Sequence, residues 1–471
     1  MKPHTKNIIS LFGFDGVARL LGFASTTYLA RTLGSGTFGL INLGLAVFSY
    51  GLIISSPGLH IIGTRIVSQH SMKDAAVIRH VTAIRFALAC LTCAATTIAS
   101  FAFVHDTTIR YIVILYSASL IPTAMQIEWF YQGRQEIPTM GISRTAGLLL
   151  FVTLLIVIVK SEMDVLLVPI AYFVSSSLNA AILYFIFSRE KSNGSVVNET
   201  QPAGTSWSSI LKQSLPVGGA AIIGQAVLNL PVILLGFFAT AFDIGNFSAA
   251  SKFIFFLLAI DRGVYVLFYP LVARTLAAAP GELGRQVSRI LNYLLIASLP
   301  ICAGVIVLAR PLIMRIFGSQ FSDSVILLQI LVFYFLFTIL NSIFAFVVIA
   351  AGKEKQYSAI IVTISSVLLI SLVPLTYVWK GIGASLGMVA GEFVMMMLMY
   401  LQCRKSISAK LRFNPAKPIV CSAIMGGILV LLPHTALYFS VPIGIAVYAA
   451  AIVLFKGMVK DDFAFLKERL L

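Results

Sequence analysis

Six charged residues interrupt long apolar stretches of the sequence: Asp15, Arg19, Lys252, Asp261, Arg262 and Glu392. A charge placed inside a membrane costs about 2.5–3.5 kcal/mol on insertion scales, so such residues normally face a partner or a water-filled cavity. Lysine and arginine bind phosphate and pyrophosphate groups through charge-assisted hydrogen bonds. The three cations therefore predict recognition of an anionic group, and the three acids predict ion pairing or ion coupling.

The first helical stretch carries an acid and a base four residues apart. This spacing places Asp15 and Arg19 on the same face of a helix. Two interpretations stay open. The residues form an internal ion pair that lets the helix insert at lower cost, or Arg19 is a partly neutralised cation that lines a substrate cavity.

A second group of charges lies on the eighth predicted helix. Lys252 and Arg262 are ten residues apart, which is about 15 Å along a helix axis at 1.5 Å per residue. On one continuous helix they are separated by about 80° in rotation, so both can border one cavity. Asp261 points away from Lys252 on such a helix, which predicts that it pairs with another helix.

Glu392 follows a ridge of small residues, Gly383, Gly387 and Gly391, which is typical of close helix packing in membranes. Two interpretations of Glu392 stay open. The carboxyl group carries protons in coupled transport, or it forms a hydrogen bond across the packed interface.

These residues must be positioned by membrane-spanning helices. Hydrophobic residues make up 59% of the 471-residue chain, charged residues make up 11%, and the mean hydropathy is +0.95. A soluble domain is about 45–50% apolar and about 25% charged. The composition excludes a soluble enzyme, a disordered chain and a secreted disulfide scaffold, and it indicates an all-α polytopic membrane protein.

Fourteen apolar segments of about 20 residues can each cross the bilayer, or twelve if the last two short segments do not cross. The predicted spans are 8–30, 38–60, 82–104, 111–131, 140–159, 165–187, 214–238, 247–272, 290–309, 325–350, 358–378, 382–402, 418–433 and 441–456. Most of the 34 lysines and arginines then fall on the side that holds both termini. The positive-inside rule places that side in the cytoplasm, which also accounts for much of the net charge of +16.

The polar segment 189–212 separates two halves of six predicted helices each. Short motifs recur between the halves at similar offsets, at 36–40 and 245–249 and again at 133–136 and 352–355. Six helices per half give both halves one orientation, so we expect two pseudo-symmetric lobes around a central cavity. The predicted domains are 1–205 for the N-terminal lobe, 206–410 for the C-terminal lobe and 411–471 for two accessory helices and a tail.

Catalytic, metal-binding and cofactor-binding motifs are absent from the sequence. It has no phosphate-binding loop, its six histidines are scattered, and Cys90 and Cys93 fall within an apolar helix, where packing is their expected role. The basic stretch 404–417 fits a cytoplasmic face against anionic lipid better than a nucleic-acid site. We therefore expect neither an enzyme nor a nucleic-acid partner, and neither a metal nor a cofactor.

Several motifs occur in an order and spacing that resemble one transporter family. They are LARTLGSGTFG at 29–39, EWFYQG at 128–133, FSAASK at 247–252, FGSQF at 317–321 and AGK at 351–353. In this combination the chain resembles the polysaccharide transport branch, the O-antigen-type flippases, of the multidrug/oligosaccharidyl-lipid/polysaccharide exporter superfamily. The likeness covers helices one to twelve.

The resemblance implies a flippase of the bacterial inner membrane that uses alternating access. It would move an oligosaccharide linked to undecaprenyl diphosphate from the cytoplasmic to the outer leaflet, among membrane lipids and with a polysaccharide polymerase and chain-length machinery as further partners. By position Arg19 and Lys252 would take the cationic role, with Arg262 a looser match, and Asp15 departs from the family pattern. The rival is a cation-coupled multidrug exporter of the same superfamily, which would favour an acidic cavity.

Overall fold

The computed structural model describes residues 3–70, 75–192, 207–407, 411, 413–432 and 437–455. The α-helices in these ranges are α1 Pro3–Ser55, α2 Leu59–His70, α3 Ala75–Phe103, α4 Thr107–Ala118, α5 Leu120–Met125, α6 Glu128–Gly133, α7 Ile137–Ile158, α8 Leu167–Ser192, α9 Trp207–Phe238, α10 Ala241–Leu257, α11 Ala259–Ala278, α12 Leu283–Ile316, α13 Ser324–Ala350, α14 Glu354–Ser406, α15 Ala416–Leu431 and α16 Leu437–Leu454. Short 3-10 turns connect some of them, and no strand occurs among the described residues. The predicted all-α class is confirmed.

Each predicted span falls mainly on helical residues, although helices and spans do not correspond one to one. Helix α1 contains most of the first two spans on either side of Gly34, where φ is 73°. Helix α14 contains the eleventh and twelfth spans on either side of Lys380, where φ is 47°. Conversely, the fourth span is divided among α4, α5 and α6, and the eighth between α10 and α11.

Ten helical stretches of the described chain are long and apolar enough to cross a membrane. Large apolar side chains such as Phe103, Ile370 and Leu431 are exposed on the helices. An exposed apolar surface of this kind suits contact with lipid rather than with water. The chain is a multi-pass membrane protein.

The chain separates into two compact units, unit 1 from Met1 to Ser248 and unit 2 from Ala249 to Leu471. The core of unit 1 surrounds the aromatic residues of α6, including Trp129, Phe130 and Tyr131. In unit 2, α15 and α16 pack on α12, and the Tyr448 hydroxyl donates a hydrogen bond of 2.7 Å to the Ile296 carbonyl. The domain limits at 205 and 410 stay predictions, because they describe a sequence repeat rather than compactness.

Within unit 1, the second half of α1 crosses the start of α10 at small residues. A Cβ on Gly39 would fall 2.0 Å from the carbonyl oxygen of Ala241, and a Cβ on Gly245 would fall 1.8 Å from that of Ser35. Only glycine permits backbones to approach this closely. Ser35 and Ala241 are separated along the chain by the same offset as Gly39 and Gly245. The contact is therefore reciprocal, which supports the internal repeat.

Candidate functional site

The predicted acid–base pair on α1 is present in unit 1. Arg19 Nε lies 3.6 Å from Asp15 Oδ2, and the exposed fractions of the two side chains are 38% and 19% respectively. The Tyr28 hydroxyl, further along the helix, donates a hydrogen bond of 2.7 Å to the Val159 carbonyl after α7. The ion pair forms as one interpretation requires, and more than a third of Arg19 stays accessible as the other requires.

Helices α6, α7 and α8 add a second ion pair beside the first. Arg144 Nη2 lies 2.5 Å from Glu128 Oε2, and Asn179 Nδ2 donates a hydrogen bond of 3.1 Å to Glu128 Oε1. The Arg144 side chain is 52% exposed and also interacts electrostatically with Asp15. Sequence reasoning counted Arg144, near the start of the predicted span 140–159, with the cytoplasmic charges, whereas the structure places it within α7 beside Glu128.

Close packing of α1 on α7 brings the two pairs together. A Cβ on Gly141 would fall 2.2 Å from the Phe14 ring, so a larger residue at 141 would push α1 away. Phe14 directly precedes Asp15, and Gly141 lies three residues before Arg144. The glycine therefore sets the distance between the charges of the two helices.

Arg85 is a third cation of this region, and it holds the broken fourth span. The buried guanidinium of Arg85 on α3 donates hydrogen bonds of 2.8 Å to the Gln126 carbonyl and 3.1 Å to the Thr123 carbonyl. The Thr123 carbonyl belongs to the last turn of α5, and the Gln126 carbonyl lies between α5 and α6. In a membrane interior such carbonyl groups need a donor from the protein. Arg85 supplies it and thereby fixes the start of α6, which carries Glu128.

Arg85 lies only three residues inside the predicted third span, 82–104, so sequence reasoning counted it with the cytoplasmic charges rather than with the intramembrane ones. The structure begins α3 at Ala75, so Arg85 lies ten residues inside a helix. Its two neighbours, Ile84 and Phe86, are both apolar. That flanking pattern is the signal that could have identified Arg85 as a charge within the membrane.

These five residues form the unit 1 charge cluster: Asp15, Arg19, Arg85, Glu128 and Arg144. Three guanidinium groups face two carboxylates, so the cluster carries a formal excess of one positive charge. Guanidinium groups bind phosphate oxygens through charge-assisted hydrogen bonds, and Arg19 and Arg144 are the accessible ones here. The arrangement can hold a phosphate-type group.

The two predicted cations of unit 2 lie on separate helical segments. Lys252 belongs to α10 and Arg262 to α11, and Leu258 interrupts the helix between them. The angle expected for one continuous helix therefore does not apply to this pair. Lys252 is half-buried, and no carboxylate among the described residues forms an ion pair with it. Arg262 is also half-buried.

Both predicted acids of unit 2 form hydrogen bonds with neighbouring residues of α13. The Ser342 hydroxyl donates a bond of 2.6 Å to Asp261 Oδ1, and Asn341 Nδ2 donates one of 3.1 Å to Glu392 Oε1. Asp261 thus pairs with another helix, and Glu392 bonds across a packed interface. Within the described chain no group of three or more histidine, cysteine, aspartate and glutamate side chains is placed to hold a metal ion.

A further ion-pair network closes the turn after α6 and lies apart from the unit 1 charge cluster. Arg134 contacts Glu136 at 2.7 Å and Glu190 of α8 at 2.5 Å. Burial raises the pKa of the Glu136 carboxyl, and the Arg134 guanidinium opposes that change. These contacts fasten the end of α6 to the end of α8.

A comparison with known protein families identifies the family to which this chain belongs. The model of a family described as "Polysaccharide biosynthesis protein" matches residues 4–275, more than half of the chain. The chain belongs to the polysaccharide biosynthesis protein family. This result confirms the resemblance drawn from the motifs.

Two relatives, from Escherichia coli (strain K12) and Shigella dysenteriae, are each described as "Putative O-antigen transporter". The first is 23% identical over 419 residues, 85% of this chain and 97% of the relative. The second is 24% identical over 398 residues, 84% of this chain and 98% of the relative.

Solved transporter structures share the fold of this member of the polysaccharide biosynthesis protein family. The lipid II flippase MurJ in an inward closed conformation matches with a TM-score of 0.71 and 14% identity, over 95% of this chain and 98% of MurJ. An inward-facing multidrug resistance MATE family transporter of the MOP superfamily matches with a TM-score of 0.64 and 15% identity, over 83% of this chain and 94% of that one. The fold is shared with these two solved structures, and these similar proteins are described as a flippase and a transporter rather than as enzymes.

Proposed function

We propose that this protein is a flippase of the bacterial inner membrane with both termini in the cytoplasm. It moves an oligosaccharide linked to undecaprenyl diphosphate from the cytoplasmic to the outer leaflet by alternating access. The observation that carries the proposal is the formal excess of one positive charge in the unit 1 charge cluster of a polysaccharide biosynthesis family member. A pyrophosphate group is an anion of the kind that such a cluster attracts.

The accessible cations have distinct parts in this proposal. Arg19 and Arg144 each expose over a third of their side chains, so they can exchange a carboxylate partner for a phosphate oxygen. Such bonds to phosphate are charge-assisted and suit the planar guanidinium group. Lys252 and Arg262 act in unit 2, where Lys252 has no carboxylate partner among the described residues.

The comparisons support the same substrate class. Two relatives carry a description as O-antigen transporters, and the fold is shared with the lipid II flippase MurJ. The lipid-linked glycan and the surrounding membrane lipids are the partners that this function requires. A polysaccharide polymerase and chain-length machinery would act on the product after it reaches the outer leaflet.

The second candidate is a cation-coupled multidrug exporter. The shared fold with a MATE family transporter favours it, at a TM-score of 0.64. An exporter of cationic drugs would need an acidic binding region, and the unit 1 charge cluster has the opposite sign. The charge therefore favours the glycan over the drug.

The test is the leaflet distribution of lipid-linked oligosaccharide in cells with and without this protein. Deletion should cause inner-leaflet accumulation, and wild-type protein should reverse it. Arg19→Glu and Arg262→Glu should each fail to reverse it. Arg285→Glu is the control, because Arg285 forms an exposed ion pair of 2.8 Å with Glu282 at the start of α12. An unchanged distribution on deletion, together with drug resistance on overexpression, would replace this proposal with the exporter.

A further inference from the structure

A hydrogen-bonded pair of glutamate and asparagine occurs once in each unit. In unit 1, Asn179 Nδ2 donates to Glu128 Oε1 at 3.1 Å, and in unit 2, Asn341 Nδ2 donates to Glu392 Oε1 at 3.1 Å. The partners are 51 residues apart in both pairs. The offset along the chain from Glu128 to Asn341 is therefore the same as the offset from Asn179 to Glu392.

The two pairs are thus one duplicated contact with the residue types exchanged. Their offset is close to that of the glycine contacts in unit 1 and to that of the motifs at 133–136 and 352–355. In unit 1 the glutamate stands on α6 and the asparagine on α8. In unit 2 the asparagine stands on α13 and the glutamate on the second half of α14.

The third member of the contact differs between the units. In unit 1 it is Arg144, whose guanidinium lies 2.5 Å from Glu128 Oε2. The residue at the same offset from Arg144 is Tyr357, and its phenol interacts electrostatically with Glu392. A neutral hydroxyl group thus replaces a permanent cation beside the carboxyl group.

Among the described residues, the titratable groups that face Glu392 are acids. Tyr334 faces it from α13, Asp261 from α11 and Tyr357 from the first half of α14. Thr338 and Asn341 of α13 add neutral hydrogen-bond donors. In the same part of the chain no lysine or arginine forms an ion pair with Glu392 or Asp261. The carboxyl groups of Glu392 and Asp261 are neighbours in a membrane interior without a cation. Simultaneous ionisation of the two groups is therefore disfavoured.

An acceptor for the proton of Glu392 is also present. Asn341 Oδ1 is buried and receives no hydrogen bond among the described residues. A protonated Glu392 has an O–H group that can donate to it, and an ionised one has none. Asn179 Oδ1 in unit 1 is likewise buried and receives no hydrogen bond among the described residues, but there the Arg144 guanidinium favours an ionised Glu128.

We propose that Glu392 binds and releases a proton during the transport cycle, whereas Glu128 stays ionised beside Arg144. The proton comes from water on one side, forms an O–H bond on the Glu392 carboxyl group and returns to water on the other side. This proposal rests on the proposed transport function and names its coupling ion. Tyr357 is a positioning residue that keeps the site neutral.

Purified protein in liposomes that contain a lipid-linked oligosaccharide tests the coupling. The wild-type flipping rate should rise with an imposed pH gradient, and for Glu392→Gln the ratio of rates with and without the gradient should fall to one. Tyr357→Arg, which gives unit 2 the cation of unit 1, should also bring the ratio to one. Glu128→Gln is the matched control, and its ratio should stay near that of wild type even if its rate falls.

Infrared difference spectroscopy on the same variants gives a readout that does not need transport. The band of a protonated carboxyl group should disappear in Glu392→Gln and in Tyr357→Arg, and persist in Glu128→Gln. If wild-type protein moves no oligosaccharide but the band depends on Glu392, the proposed function fails and the proton site stands. If transport occurs without gradient dependence and the band is unchanged in Glu392→Gln, the proton proposal is wrong and the function stands.

Discussion

Replacement of Arg85 by methionine should weaken unit 1 at the break in its fourth span. The Arg85 guanidinium donates to the carbonyls of Thr123 and Gln126, at 3.1 Å and 2.8 Å. Methionine fills a similar volume but donates no hydrogen bond. Both carbonyls then lose their side-chain donor, in a region where water cannot replace it.

The size of the effect follows from these two bonds. The Thr123 carbonyl keeps the Gln126 N–H as a donor at 3.2 Å. A buried polar group without its partner costs about 1–3 kcal/mol, so loss of the donor to the Gln126 carbonyl gives about 1–3 kcal/mol. Side-chain hydrogen bonds in membrane proteins average about 0.6 kcal/mol, and removal of a buried cation offsets part of the loss. We therefore expect Arg85→Met to lower the free energy of unfolding by about 2 kcal/mol. Arg85→Lys should lower it by about half as much, because one ammonium group can replace only part of the two-bond guanidinium contact.

The assay is unfolding by SDS in mixed micelles, with helicity and tryptophan fluorescence as signals. Trp129 lies in the core next to the start of α6, so its fluorescence reports on this region. Arg79→Met is the control, since Arg79 is an exposed arginine of the same helix. If Arg85→Met unfolds at the same SDS fraction as Arg79→Met, the guanidinium does not hold the break and the reasoning is refuted.

Two further predictions concern packing and orientation. Gly39→Val should reduce the yield of folded protein strongly, because its Cβ would fall 2.0 Å from the Ala241 carbonyl oxygen, whereas Gly36→Val, with open space at its Cβ, should fold normally. Equal yields on size-exclusion chromatography would contradict the close contact. In a cysteine-free version of the protein, an impermeant thiol reagent applied to spheroplasts should label a cysteine at Ser319 but not one at Glu282; the reverse pattern would invert the proposed topology.

Spacing and hydropathy predicted what depends on regular helices. The apolar segments located the helices, and the four-residue spacing of Asp15 and Arg19 indicated the ion pair that the structure contains at 3.6 Å. The acids Asp261 and Glu392 within apolar stretches also marked residues that hydrogen-bond across helix interfaces. These signals are local, so one sequence is enough to read them.

Other features depend on tertiary contacts or on irregular backbone. Arg85 and Arg144 were counted with the cytoplasmic charges because each lies close to the inner end of its predicted span, whereas α3 and α7 begin before those spans do. The helix is interrupted at Leu258, between Lys252 and Arg262. No proline or glycine lies between these two residues, so the sequence gives no local signal for the interruption. Asn341 was missed because a neutral amide scarcely changes the hydropathy of α13, although an alignment of the two halves that sets Glu128 against Asn341 would have found it.

The central claim is that cations of this chain recognise the pyrophosphate of a lipid-linked oligosaccharide. The most direct measurement is flipping of a labelled undecaprenyl-diphosphate oligosaccharide in liposomes, compared among wild type, Arg19→Glu and Arg285→Glu. The account predicts flipping by wild type and Arg285→Glu, loss of flipping in Arg19→Glu, and competition by a pyrophosphate-bearing lipid that lacks sugar. Wild-type rates in Arg19→Glu, or no flipping by wild type, would contradict it.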